Sequence, residues 1–496
     1  MTRTIAVLVT TSLAGACALV RPVRLNPPPP PAAFVVDLAA PPSTAPGATD
    51  APGGDERLTH NPVWWSAFAD PALDAVIQEA LRNNYFIRDV RTLITEDMLD
   101  STVPRGWLWP LQVGILPTTP AQLQHVVAAS PPGVAVDTNG VPQKIAAAKN
   151  AYNAANIDLT ASYQLDVWGN LDAQRRVADD LVEQQRQSTE LASQNTAEQV
   201  TQLWFDILVQ RALKELTEGE VKYNQELFNL VKARFEQHLT PRLVVLQQEQ
   251  QLLNIQAQVP LIATRIALLN SQLTALLGRL PNPQDEMVPA DRRLPDLPPE
   301  PRIGTPGDLI ENTVEMRFAK LRVTEIENRI NQNLSSWLPV IDLVASTGVV
   351  TFGSSKETFQ ESFAGIRLIW PIFDGGRRLI DAKQLQLTLK RRKWQYDLAI
   401  KTAVGRVQDA LLQEKYQAES LRSLRGQIEL GRRVLDEARR LFEQGQSDYL
   451  PVLNALSSLA ALERSGLQAQ RQLLSYRVQL YRALGGTWSY DVTKLP

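Results

Sequence analysis

Two periods run along this chain. From Ile157 to Asp166 every odd-numbered residue is apolar or alanine and every even-numbered one is polar, the pattern of a strand with one apolar face. Leu111, Val113 and Ile115 alternate with Gln112 and Gly114 in the same way. Ile341, Leu343, Ala345 and Val349 share a face opposite Asp342, Ser346 and Gly348, and Ile366, Leu368, Trp370 and Ile372 oppose Gly365 and Arg367. Elsewhere the apolar positions follow a helical period. No proline lies between Pro142 and Pro241 or between Pro371 and Pro451, so long helices over 171–237 and 376–444 are predicted. Each would be on the order of 100 Å long at about 1.5 Å per residue. A strict coiled coil would confine apolar residues to two positions in seven. The band through Val200, Leu203, Trp204, Ile207 and Leu208 is broader, which suits helices with neighbours on both sides.

The pattern occurs twice. Phe235-Glu-Gln-His-Leu-Thr-Pro-Arg-Leu-Val-Val-Leu246 aligns with Phe442-Glu-Gln-Gly-Gln-Ser-Asp-Tyr-Leu-Pro-Val-Leu453 without gaps. The same offset of 207 pairs Leu277-Gly278 with Leu484-Gly485. Two structural repeats are expected, 61–281 and 306–488, joined by a proline-rich linker, 282–305, and followed by a tail, 489–496. Each repeat reads as a first helix (about 71–100 and 306–335), two strands, a very long helix and a shorter one. Thr240-Pro241 and Ser447-Asp448 read as caps of the shorter helices, Gly278 and Gly485 as their C-terminal stops, and Pro260 as a kink.

Composition narrows the function. The chain carries 51 basic and 53 acidic residues, so it offers no basic field for nucleic acid. Its one cysteine, Cys17, excludes a disulfide framework and a thiolate zinc site, and His60, His125 and His238 are far apart, so no metal or cofactor is expected. Phosphate-binding, zinc-protease, nucleophile-elbow and dinucleotide motifs are missing, which argues against an enzyme. Arg3, the apolar run from Ile5 and the small residues before Cys17 predict a signal peptide over 1–16. Leu13-Ala-Gly-Ala-Cys17 resembles a bacterial lipobox, which would make Cys17 a lipidated N-terminus. A proline-rich extended linker would follow through residue 60. No helix is read as a membrane span. The strands are long enough to cross a bilayer, but a closed membrane barrel needs at least about eight and this chain offers four, so several copies must contribute.

Leu165-Asp-Val-Trp-Gly169, Trp370-Pro-Ile-Phe-Asp-Gly-Gly-Arg377, Ala233-Arg-Phe-Glu236 and Leu276-Leu-Gly-Arg-Leu-Pro281, in duplicated order, are similar to the TolC-like outer-membrane efflux protein family, in its lipoprotein branch. The resemblance runs from about Asn61 to Trp488. It implies a mainly α fold with a membrane β-barrel: a homotrimer whose twelve strands sit in outer-membrane lipid and continue into an α-helical periplasmic tunnel. It implies a passive exit duct working with a periplasmic adaptor and an inner-membrane pump of the resistance-nodulation-division type. A type I protein-secretion outlet and a non-channel helical adaptor or structural lipoprotein are the alternatives. Gly169, Gly375 and Gly376 would make the strand-to-helix turns. The corners at 235–246 and 442–453 would form the periplasmic tip, where Asp448 would gate or cap, and Phe442, Tyr449 and Phe235 would plug or pack. The stretch 116–156 would be an oversized extracellular loop.

Overall fold

The computed structural model describes residues 64–105, 111–117, 126–129, 134–136, 142–144, 149–152, 154–282, 286–301, 303, 305–352 and 358–485. The predicted leader, Cys17, the whole linker through residue 60, His60, His125 and the tail after 488 lie outside them. The described residues form two compact units, one drawn from 96–182 and 322–392, the other from 64–95, 183–321 and 393–485.

The first unit is organised by a four-stranded antiparallel sheet of β1 (Leu111–Pro117), β6 (Ala154–Leu165), β7 (Val340–Phe352) and β8 (Thr358–Ile369), in that spatial order. Its register fixes the faces. Leu111 pairs with Tyr163, Tyr163 with Leu343 and Leu343 with Ile366, so the apolar series of all four strands lies on one side. Val113, Ile115, Leu159, Leu343, Val349, Ile366 and Leu368 are exposed there. The opposite face carries Asp158, Thr160, Gln164, Asp342 and Arg367. On it Arg367 reaches across the strands to Asp342 at 2.8 Å. Val344, Val350, Phe359, Phe363 and Ile369 share this face, the Phe363 ring lying against the position where Gly365 lacks a side chain.

Two expectations are corrected. β8 ends at Ile369, so Trp370 and Ile372 lie beyond the strand, because Pro371 cannot donate to the ladder. The stretch 116–156 is not only loop. Between β1 and β6, β2 (Val126–Ala129) pairs antiparallel with β5 (Lys149–Tyr152), and β3 (Val134–Val136) with β4 (Pro142–Lys144).

The second unit is helical. A 3-10 turn, Trp64–Phe68, precedes α1 (Pro71–Asn83) and α2 (Tyr85–Arg105), which belongs to the first unit from residue 96 onward. The long helices are α3 (Asn170–Glu236) and α7 (Arg377–Glu443), 67 residues each, and each contributes to both units. They are followed by α4 (Arg242–Leu276) and α8 (Tyr449–Ala483), 35 residues each. The second repeat opens with α5 (Pro306–Asn312) and α6 (Val314–Ser335). The first helix of each repeat, expected unbroken, is thus interrupted, at Asn84 and at Thr313. Asn84 is extended, accepts hydrogen bonds from the Phe86 and Ile87 amides and donates to the Leu276 carbonyl at 2.9 Å. It caps one helix and holds the end of another.

The two C-terminal glycines explain those breaks. Gly278 and Gly485 have φ of +71° and +67°, and a methyl group on them would sit 2.4 Å from the Asn83 carbonyl oxygen and the Thr313 side chain respectively. The end of each shorter helix therefore packs onto the interruption in the first helices of its own repeat. The main core gathers Trp64, Trp65, Phe68, Leu73 and Ile77 against Val200, Trp204, Phe205 and Leu208 of α3, with Leu273 of α4 and Val478 of α8. Trp204 is fully buried and donates its indole N–H to Asp70 at 3.1 Å. Truncating such a side chain costs about 3–5 kcal/mol. Thr189, Ser193, Thr196, Thr201 and Thr217 place hydroxyls inside α3 by donating to the carbonyl four residues back.

α4 runs through Pro260 without ending there. It also departs from the expectation that no helix could span a bilayer, since one 18-residue window has a mean hydropathy of 1.4. Packing accounts for only part of the apolarity: Leu252, Ile255, Leu269 and Leu273 are buried, whereas Leu253, Leu261 and Leu268 are exposed. The segment 286–301, expected as a linker, is strapped to this unit. Arg211 donates to the Pro289 carbonyl, Gln470 to that of Pro295, and the buried Arg477 to those of Pro298 and Pro299 while pairing with Glu414.

Candidate functional site: open sheet edges, strand-to-helix turns and helix corners

The edges of the first unit's sheet carry its chemistry. Among the described residues β1 pairs only with β6, and β8 only with β7, leaving two rows of backbone donors and acceptors without a strand partner. The sheet thus exposes an apolar face and two unpaired edges at once. In water this arrangement aggregates; in lipid it is tolerated only when the edges close onto further strands.

At the foot of the sheet, Gly169, Gly375 and Gly376 adopt φ of +70°, +69° and +85° in the passages from β6 to α3 and from β8 to α7. Two aspartates that sequence reasoning passed over fix these turns. Asp166 accepts from the Leu171 and Asp172 amides at 3.0 and 2.9 Å. Asp374 accepts from the Gly376 and Arg378 amides, both at 3.1 Å, and from the Arg378 side chain at 2.7 Å. The Arg378 side-chain hydrogen bond leads in holding the Asp374 carboxyl below the usual carboxylate range. An aspartate a few residues ahead of each long helix was the available signal. Arg378 also lies over the Trp337 ring at 5.1 Å, while Trp168 donates to the Pro339 carbonyl at 2.7 Å and Trp370 to that of Trp337 at 3.2 Å.

The corners belong to the second unit. Phe442 and Tyr449 are buried and meet edge to face with ring centroids 5.8 Å apart. Around them pack Leu227, Val231, Leu435, Val452 and Leu456. The Tyr449 hydroxyl donates to Gln248, whose amide donates to the Asn224 carbonyl at 2.9 Å; Gln248 and Asn224 are fully buried. Burial pushes the Tyr449 pKa up, so the hydroxyl stays a donor. Arg234 stacks over Phe442 at 4.7 Å and donates to its carbonyl at 2.9 Å. Phe235, the counterpart of Phe442, stays on the surface. Asp448 occupies the N-cap position of α8 but its side chain makes no capping hydrogen bond, and it is exposed. Thr240 likewise does not cap, because the N-cap of α4 is Pro241 itself, one place later than expected. Sequence reasoning missed Arg234, Asn224 and Gln248. A glutamine within the apolar band of α4, where the repeat offset places Ala455, was the only sign of the last. Among the described residues no group of three His, Cys, Asp or Glu side chains is placed to hold a metal.

The chain is similar to known proteins in sequence and fold. A family model described as outer membrane efflux protein matches residues 119–279 and 305–486. The pyoverdine export outer membrane protein OpmQ of Pseudomonas aeruginosa is 23% identical over 440 residues, covering 86% of this chain and 88% of its own. The toluene efflux pump outer membrane protein TtgC of Pseudomonas putida is 25% identical over 448 residues, covering 87% and 86%. The structure of the outer-membrane channel OprN superposes with a TM-score of 0.74 at 20% identity, covering 95% of this chain and 99% of that one. That of VceC from Vibrio cholerae gives 0.70 at 18% identity, covering 86% and 99%.

Proposed function

This chain belongs to the outer membrane efflux protein family and is an outer-membrane efflux channel component; on that premise we propose that it works as a homotrimer, a passive exit duct within a tripartite system. The observation that carries the assembly is the four-stranded sheet with an exposed apolar face and two unpaired edges. Three copies joined β1 to β8 would give a closed barrel of about twelve strands and leave no edge facing lipid. A periplasmic adaptor and an inner-membrane pump of the resistance-nodulation-division type would complete the system and supply the energy. Relatives named for pyoverdine and for toluene align over nearly the same length, which supports a duct whose cargo is chosen by its partners.

The repeats are assigned to 61–281 and 306–488, around a strap at 282–305. Cys17 would be lipidated after removal of 1–16, so Cys17→Ser should abolish acyl labelling. Persistence of the label would refute that assignment. The corners would form the gate. Phe442 and Tyr449 act there by packing, since both are buried, while Phe235 and the exposed Asp448 remain free to face the passage. Gly169, Gly375 and Gly376 turn the chain from barrel to helix.

The test is to extract the protein in detergent, measure its mass and reconstitute it in a planar bilayer. A trimer with small, mostly closed conductances is the expected result. A detergent-independent monomer without conductance would overturn the proposal.

A further inference from the structure

Within the second unit, α3, α7 and α8 enclose a cavity of about 630 Å³, walled by Leu216, Leu421, Ile428, Leu456, Leu459 and Leu467. A volume and an apolar lining of this kind suit a small molecule. The placement of glycine creates the space. Gly219 is the one glycine of α3, and glycine disfavours a helix interior. A methyl group on it would meet no described atom within 4 Å. Across the cavity α7 and α8 close on each other, so that a methyl group on Gly466 would sit 2.9 Å from Ile428. The helices pack tightly on one side and leave room on the other, where any ordinary side chain at 219 would take it up.

Glu220, on the same wall, is only 8% exposed. One of its carboxylate oxygens accepts from Arg464 at 2.5 Å, and the other has no hydrogen-bond partner among the described residues. Burial outweighs the nearby guanidinium and pushes the Glu220 carboxyl above its usual range. The carboxylate is therefore short of positive charge and of donors. The other charged groups on the lining are better placed. Arg432 pairs with Glu463 at 2.7 Å and Glu215 with Arg293 at 3.8 Å, while Arg425 is exposed to water. The unmet demand on this wall is for a cation, not an anion.

We propose that the cavity binds a small amphipathic cation, its ammonium or amidinium group against Glu220 and its apolar body against the leucines of α7 and α8. Leu435, Leu456 and Leu459 line the cavity and also belong to the core around Phe442 and Tyr449, so an occupant would brace the second corner. That consequence, unlike the binding itself, rests on the corners being the gate.

The test is calorimetric titration of the full chain in lipid nanodiscs with para-tert-butylbenzylamine. The corresponding benzyl alcohol and benzoate serve as neutral and anionic probes of similar shape. Saturable binding of the amine, at least about tenfold tighter than that of either counterpart, is expected. Gly219→Leu should weaken it by about tenfold or more without lowering the unfolding midpoint, because the added side chain enters open space and favours the helix. Glu220→Gln should reduce the amine to the level of the alcohol. Absence of saturable binding, or equal binding by Gly219→Leu, would overturn the site. Tighter binding of the benzoate would assign the cavity to the chemistry of Arg425 and overturn the cation. In planar-bilayer recordings the amine should lower the open fraction of the unmodified protein and leave that of Gly219→Leu unchanged. Calorimetric binding with unchanged openings would uphold the site and overturn the second corner as the gate.

Discussion

The two helix corners are built from one repeated segment and share a backbone, yet they bury different things. In each, a left-handed residue ends the long helix, His238 with φ +61° and Gly445 with φ +70°. In each, the following amide reaches back five residues, Leu239 to the Arg234 carbonyl and Gln446 to that of Leu441, both at 2.9 Å. The second corner then encloses Phe442 and Tyr449. The first leaves Phe235, Leu239, Leu243 and Leu246 on the surface. Duplication has preserved the hydrogen-bond scheme that reverses the chain, and the side chains have diverged around it. One corner holds itself shut; the other offers apolar surface.

The largest effect should come from Phe442→Ala, which empties a packed aromatic site and removes the platform for Arg234. We expect a loss of about 3–5 kcal/mol, whereas Phe235→Ala should cost only about 1–2 kcal/mol because its ring is already partly in water. Thermal unfolding of the detergent-extracted variants would decide. Equal losses would erase the distinction between the corners.

Tyr449→Phe should cost about 1–3 kcal/mol by leaving the buried Gln248 oxygen without its donor. If the corner gates the passage, the same variant should raise the open fraction of single-channel records. A stability loss with unchanged openings would confine Tyr449 to packing.

Smaller effects come from the shared backbone. Gly445→Ala forces a side chain into the left-handed region and should destabilise by about 1–2 kcal/mol. The reciprocal His238→Gly should stabilise the first corner by up to about 1 kcal/mol, since the present residue already carries that strain. A shift in midpoint of the same sign for both would show that the two helix ends are not equivalent.

Much of this was legible in the sequence because it is encoded by periodicity and by proline. The long helices, expected at 171–237 and 376–444, run over 170–236 and 377–443, and the four strands alternate as expected. What was hidden depends on contacts distant in sequence. The breaks at Asn84 and Thr313 contain neither glycine nor proline, and arise where the end of another helix packs against them. The ladders of β2 to β5 are three or four residues long, too short for alternation to register. At the corners, the aromatic residues were visible but the Arg234 stack and the Asn224–Gln248–Tyr449 chain were not, since no local pattern pairs residues about 200 apart. Asp448 was misleading for the opposite reason: it has the residue type and position of a cap, and makes no capping bond.

The unpaired edges of β1 and β8 have a genetic consequence. If three identical chains must each lend one edge and accept another, a chain that folds but cannot pair spoils every ring it enters. In a cell making normal and edge-defective chains equally, random assembly would leave only about one ring in eight intact. Edge lesions should then behave as dominant alleles, whereas lesions that unfold the chain before assembly, such as those in the Trp204 core, should be recessive.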